Sequence, residues 1–142
     1  MGKKYWTIFF TLACCCYVVV PTGDDHLKKM MEECKEKTGV PDDKAALVIN
    51  TTSIEEELSE DERCFAVCLL TKGNVIESGK LKVNVLLHIT REVFKRNGKK
   101  LDENAWKKGI TKCNNEESDT KCDKSYTAWM CYMTLTTKLM EE

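Results

Sequence analysis

Six cysteines constrain this chain more than any other feature of its sequence. They follow an apolar N-terminal run that holds three further cysteines, with 29, 3, 44, 8 and 8 residues between neighbours: Cys34, Cys64, Cys68, Cys113, Cys122 and Cys131. An even set of cysteines in a small chain that enters an oxidising compartment is typical of a disulfide framework. Six cysteines allow 15 pairings, and spacing alone does not decide among them.

Helical geometry limits the pairing locally. Cys64 and Cys68 are four residues apart in a stretch with helical patterning, so their Cβ atoms would lie about 5 to 6 Å apart on one face. A disulfide needs about 3.5 to 4.5 Å between Cβ atoms, which predicts that these two cysteines bond elsewhere. Cys122 and Cys131 are nine residues apart and would face opposite sides of one helix.

The first 23 residues have the pattern of a secretory signal peptide. Lys3 and Lys4 form a basic head before an apolar run, Tyr5 to Val20. The turn-forming residues Pro21, Thr22 and Gly23 follow this run. That run of 16 residues is shorter than the roughly 20 that span a bilayer, which argues against a membrane anchor. We therefore expect a secreted, extracellular protein with a single domain over residues 24–142.

Charge and composition exclude some classes of protein. Loss of Lys3 and Lys4 with the signal peptide would leave 20 Lys and Arg against 23 Asp and Glu, a net charge of about −3. Nucleic-acid binding calls for a basic face, so we expect no nucleic-acid partner. The chain has two prolines and seven glycines, which favours helices over a turn-rich sheet sandwich.

Apolar residues recur at helical spacing in six segments. Start and stop residues place the helices at Asp24 to Gly39, Pro41 to Asn50, Ser59 through Leu69, Val83 to Arg96, Asp102 to Cys113, and Cys122 onward. Ser59 and Glu62 have the spacing of a capping box. The segment from Lys72 to Lys82 is predicted to be a connector. Leu81, Val83 and Val85 alternate as in a strand, but the apolar pattern continues at helical spacing for two more turns, which favours a helix.

Catalytic and metal sites have little support in the sequence. The only histidines are His26 and His88, and every cysteine after the signal peptide has a partner in the framework, so no nucleophile and base are predicted to meet. The cysteine spacing lacks two close pairs of zinc ligands. We expect no enzyme activity, no metal and no cofactor. Asn50, Thr51 and Thr52 form a sequon for N-glycosylation at Asn50.

The cysteine spacing resembles the six-cysteine signature of insect odorant-binding proteins, the pheromone and general odorant-binding family. The inner spacings of three and eight residues carry the resemblance, which covers nearly the whole chain after the signal peptide. The gap of 44 residues is long for the family and predicts an extended connection before the fourth helix. The resemblance implies three bonds that join first to third, second to fifth and fourth to sixth cysteine: Cys34–Cys68, Cys64–Cys122 and Cys113–Cys131.

The resemblance further implies a compact, all-α, six-helix domain whose three interlocked disulfides surround an apolar cavity. Such a protein carries small apolar or amphipathic molecules, such as odorants or pheromones, through aqueous fluid to a membrane receptor, as a monomer or homodimer. Residues on inward stripes are candidates both for ligand contact and for ordinary core: Met30, Leu47, Phe65, Leu69, Leu86, Ile89, Phe94, Trp106, Tyr126, Trp129, Met130 and Met133.

Some assignments stay open at this point. Tyr126 would either bond a ligand oxygen or bond the backbone as a core tyrosine. His88 is either a pH switch for ligand release or a half-exposed structural histidine. The scaffold also suits a secreted gland, venom or reproductive protein that acts through a protein partner. A membrane-active domain of the saposin type is a third interpretation, although its cysteines come in close pairs unlike these.

Overall fold

The computed structural model describes residues 23–50, 57–118 and 120–142, and within them the chain is mostly helical. The helices are α1 (Gly23–Thr38), α2 (Asp42–Asn50), α3 (Glu60–Lys72), α4 (Val83–Arg96), α5 (Glu103–Asn114) and α6 (Lys121–Glu141); two antiparallel strands, β1 (Ile76–Glu77) and β2 (Lys80–Leu81), lie between α3 and α4. The all-α prediction is therefore confirmed. The apolar run of the predicted signal peptide and the sequon threonines lie outside the described residues, as does the side chain of Asn50.

Short-range signals set the helix ends. Ser59 Oγ accepts from the Glu62 N–H at 3.3 Å while Glu62 Oε1 accepts from the Ser59 N–H at 3.4 Å, which confirms the predicted capping box. Asp102 caps α5 by accepting from the Ala105 N–H at 3.1 Å. Gly98 ends α4 at a φ of +65°, where a residue with a Cβ would be strained. The helices accordingly lie where the sequence predicted them, within a few residues.

The predicted connector between α3 and α4 contains a hairpin instead. Its two central residues, Ser78 and Gly79, have φ values of +52° and +79°, as a tight two-residue turn between antiparallel strands requires. The side chain of Asn114 accepts from the Leu81 N–H at 2.9 Å and donates to the Leu81 carbonyl at 3.3 Å, so α5 completes the hydrogen bonding of β2. The sequence analysis predicted a connector here but not its hairpin, which depends in part on a side chain 33 residues from Leu81, that of Asn114.

Three disulfides join four of the helices into one frame. They link α1 to α3, α3 to α6 and α5 to α6, with Cα atoms 5.7, 5.1 and 5.4 Å apart, respectively: Cys34–Cys68, Cys64–Cys122 and Cys113–Cys131. These are the three pairs that the resemblance implies. Because α3 and α6 each take part in two of the bonds, these two helices hold the frame together.

An ion pair lies beside the central disulfide. Arg63 Nε donates to Asp123 Oδ1 at 2.6 Å, and each residue is the sequence neighbour of one cysteine of the Cys64–Cys122 bond. The arginine also donates to the Leu58 carbonyl. The hydrogen bond from Arg63 is the largest influence that holds the pKa of Asp123 below its ordinary value.

This pKa shift predicts an acid-dependent contribution to stability. Because the folded-state pKa of Asp123 is lowered, its carboxylate stabilises the fold at neutral pH, and this contribution is lost as the pH falls through the folded pKa. Asp123→Asn should therefore be less stable than the wild type at pH 7, and the two should converge in acid. Urea unfolding at a series of pH values measures the difference. The exposed Glu117→Gln serves as control, and an unchanged pH profile in Asp123→Asn would contradict the role of the pair.

Buried side chains form two clusters. The first, here called the α1–α3 cluster, consists of Met30, Cys34, Val40, Ala45, Val48, Leu58, Phe65, Ala66 and Leu69. The second, the α4–α6 cluster, includes the hairpin and the large side chains of the last three helices: Leu70, Val75, Ile76, Leu81, Leu86, Leu87, Ile89, Val93, Phe94, Trp106, Ile110, Cys113, Ala128, Trp129, Tyr132, Met133 and Met140. At Gly109, a Cβ would lie 2.5 Å from Leu135 Cδ2, so glycine is what allows α5 and α6 to pack closely.

Candidate functional site

The side chains predicted to contact a ligand are divided between the two clusters. Met30, Phe65 and Leu69 lie in the α1–α3 cluster, and Tyr126 packs against it. The α4–α6 cluster contains six others, and Met130 packs against that cluster: Leu86, Ile89, Phe94, Trp106, Trp129 and Met133. The sequence therefore predicted the burial of these positions, but it did not predict that they belong to two groups. Helix α6 contributes to both.

Leu47 is the exception among the predicted residues. It is 42% exposed, so its assignment to an inward stripe was wrong. On the short helix α2, Ala45 and Val48 are buried and face the α1–α3 cluster, whereas Leu47 follows Ala45 by two positions, or about 200° around the helix. A run of five apolar residues, Ala45 to Ile49, does not by itself show which of them face inward.

Three aromatic rings fill the centre of the α4–α6 cluster. The ring of Trp106 meets that of Tyr132 edge-on with centroids 6.3 Å apart, and Trp129 lies 5.2 Å from Tyr132 at a tilt of 38°. Trp106 Nε1 donates to Thr136 Oγ1 at 3.4 Å, and the hydroxyls of Tyr132 and Thr90 are hydrogen-bonded at 2.9 Å. The polar atoms of Trp106 and Tyr132 thus bond within the protein, as expected of core side chains.

A groove of about 600 Å³ lies between the end of α1, one face of α3, the hairpin and α6. Its walls include half-buried Cys64, Cys68 and Cys122, and none of the predicted ligand-contacting side chains is among its described lining residues. Three of its hydroxyls are engaged, since Thr38 and Thr71 donate to backbone carbonyls at 2.7 Å and Ser125 donates to the Gly79 carbonyl at 3.3 Å. The groove therefore offers a surface of mixed polarity, in which these three hydroxyls are bonded to the backbone.

One face of α6 carries three methionines, here called the methionine face: Met130, Met133 and Met140. Met133 and Met140 are fully buried, and Met130 is half-buried against the α4–α6 cluster. Thr137 shares this face, because residues 130, 133, 137 and 140 follow one another at intervals of three or four positions, about one helical turn. Its Oγ1 is the one buried side-chain polar atom among the described residues that has no hydrogen-bond partner.

The sequence analysis missed Thr137 and Met140. A signal existed, since the apolar period of the last helix continues to Met140 beyond the last cysteine. No signal in the sequence shows that the Thr137 hydroxyl is buried, because threonine side chains are mostly exposed in folded proteins.

Tyr126 and His88, the two polar candidates for function, have different surroundings. Burial raises the pKa of the Tyr126 phenol; the positive charge of Arg63 opposes this shift, and the negative charge of Glu62 adds to it. The phenol is therefore a hydrogen-bond donor at neutral pH. His88 is exposed on α4 and lies outside both clusters, and its role in ligand release stays a prediction.

The described residues contain few groups suited to other chemistry. Among residues 23–50, 57–118 and 120–142, no three His, Cys, Asp or Glu side chains are placed to hold a metal ion. None of the helices in that part of the chain is long and apolar enough to cross a membrane. The arrangement thus offers mainly apolar surface, with the Thr137 hydroxyl and the Tyr126 phenol as polar groups on one face of α6.

Comparison with known proteins gives one finding. A sequence model described as the PBP/GOBP family matches residues 19–134, a span that includes all six framework cysteines and most of α6. No curated protein and no solved structure matches the chain.

Proposed function

The chain belongs to the PBP/GOBP family, the insect odorant- and pheromone-binding proteins, and from that premise we propose that it is a secreted carrier of odorants, pheromones or similar small hydrophobic molecules. Members of this family bind small hydrophobic ligands and are typically secreted. The family match over residues 19–134 is the observation that carries the proposal. In it, residues 1–23 are removed on secretion and residues 24–142 act as a single domain that delivers its ligand to a membrane receptor.

Affinity in such a carrier comes from apolar burial. A ligand that loses about 300 Å² of apolar surface to the protein gains roughly 7.5 kcal/mol before the cost of immobilising it. The disulfide frame supports this function, because a small helical domain that opens space for a ligand loses packing energy of its own. Bonds between α1, α3, α5 and α6 offset that loss.

We place the ligand along α6 and the apolar side chains that face it. The methionine face suits ligands of varied shape, since methionine side chains are flexible and repack easily. Tyr126, one to two turns before Met130 and Met133, adds a ring and a donor at the side of the α1–α3 cluster. The groove beside the disulfides is a weaker candidate because three of its hydroxyls bond the backbone.

A second candidate function is a secreted protein that acts through a protein partner. The observation in its favour is the packing of the α4–α6 cluster, where Tyr132 contacts both Trp106 and Trp129 and all three rings are fully buried. If the whole interior is packed in this way, the family scaffold would serve as a rigid surface.

Displacement of a fluorescent apolar probe distinguishes the two functions. The folded protein should bind N-phenyl-1-naphthylamine, and 1-decanol, decanal and decyl acetate should displace it. The same chain with its disulfides reduced and alkylated controls for non-specific binding to exposed apolar surface. A folded protein that neither binds the probe nor takes up any of these compounds in equilibrium dialysis would exclude the carrier function.

A further inference from the structure

Thr137 has an unusual hydrogen-bonding state for a threonine in a helix of this chain. Four others donate to the backbone carbonyl four residues earlier, at distances of 2.6 to 3.0 Å: Thr38, Thr71, Thr90 and Thr111. For Thr137 the equivalent acceptor, four residues earlier, is the carbonyl of Met133, yet the Thr137 Oγ1 is buried with no hydrogen-bond partner. A buried hydroxyl without a hydrogen bond destabilises a protein, so this arrangement is unfavourable unless another molecule bonds it.

The surroundings of this hydroxyl on α6 are apolar. Met133 precedes Thr137 by four residues and Met140 follows it by three, so both lie next to it on the same helix face, and both are fully buried. Met130 lies two turns before it, half-buried. One polar atom within a flexible apolar surface matches a ligand that is apolar except for one oxygen.

We propose that the Thr137 hydroxyl is the specificity-determining group of the carrier, selecting apolar ligands that bear an oxygen over hydrocarbons of the same size. The proposal rests on the carrier function. The hydroxyl donates to the oxygen of an aldehyde or ester and accepts from the hydroxyl of an alcohol, so the ligand class is the singly oxygenated chain molecule. Hydrocarbons leave Thr137 unpaired and gain nothing from it.

The test compares two ligands of equal heavy-atom count, 1-decanol and undecane, by displacement of N-phenyl-1-naphthylamine. The measured quantity is the ratio of the undecane Kd to the 1-decanol Kd. Thr137→Val removes the hydroxyl at nearly constant shape, and we expect it to lower this ratio by roughly five- to tenfold, the value of one net hydrogen bond. Thr137→Ser should retain the ratio of the wild type. Thr134→Val makes the same change on the exposed side of α6 and should leave it unchanged.

Stability of the ligand-free protein gives a second readout. Thr137→Val should leave the Tm unchanged or raise it, because no hydrogen bond is lost. Thr90→Val should lower the Tm, since it removes the bonds of that hydroxyl to the Leu86 carbonyl and to Tyr132. A fall in Tm for Thr137→Val as large as that for Thr90→Val would show that the hydroxyl is bonded within the protein, and would overturn the proposal.

The binding outcomes separate this inference from the function it rests on. If both ligands displace the probe with the same ratio in the wild type and Thr137→Val, the carrier function stands and the role of Thr137 is wrong. If neither ligand displaces the probe from the wild type, the carrier function itself fails.

Discussion

Replacing Cys64 and Cys122 together with alanine is expected to lower the free energy of unfolding by about 4 kcal/mol. The bond joins residues that are 58 apart in sequence, and closing a loop of that length removes about this much conformational entropy from the unfolded chain. Both cysteines are half-buried at the wall of the groove, so their replacement leaves little cavity in either cluster. The decrease in the free energy of unfolding should therefore come mainly from the loss of the covalent link between α3 and α6.

Guanidinium unfolding of the double variant under non-reducing conditions measures this effect. Arg63→Gln is the matched control, because it removes the ion pair beside the bond and leaves the bond itself intact. Ion pairs with partly exposed partners contribute little, so we expect a much smaller loss in the control. If the double variant were no less stable than Arg63→Gln, the packing of α3 on α6 would hold the frame without the disulfide.

The second large effect is expected from Trp106→Ala, which should cost about 3–5 kcal/mol of stability. The indole is fully buried, meets Tyr132 edge-on and donates a hydrogen bond to Thr136. Its removal from α5 would leave a void in the centre of the α4–α6 cluster, because the neighbouring rings are held by their own contacts.

Leu47→Ala is the control for this truncation. Leu47 was predicted to face inward like Trp106 but is 42% exposed, so its replacement should change stability by no more than about 0.5 kcal/mol. Thermal or chemical unfolding of both variants provides the measurement. A loss below about 1 kcal/mol for Trp106→Ala would show that the ring borders empty space, which would assign it to a ligand pocket and not to the core.

Helix positions were largely predictable because their determinants are local. The Ser59 and Glu62 capping box was predicted from its spacing and is confirmed, and the Asp102 cap and Gly98 likewise act within one turn of the helices they bound. The hairpin was missed although Ser78 and Gly79 form a turn dipeptide. Its strands are two residues each and depend on Asn114, which is 33 residues from Leu81.

The candidate site was only partly predictable. Periodicity identified buried positions such as Phe65, Trp106 and Met133, since an apolar stripe shows which face of a helix avoids water. It did not show which other helix covers that face. For the same reason, apolar periodicity wrongly predicted that Leu47 faces inward, and it did not identify Thr137, whose hydroxyl is buried on α6.

The sequence by itself determined the family, the helices and the six-cysteine framework, since cysteine spacing and apolar periodicity are properties of the chain alone. Only the tertiary structure decided how these elements share the interior. It divided the buried side chains into two clusters joined by α6, paired Arg63 with Asp123, and left one hydroxyl, that of Thr137, buried and unbonded among the described residues. The physical reason is that burial and hydrogen bonding depend on the neighbours that packing brings together, and those neighbours are distant in sequence.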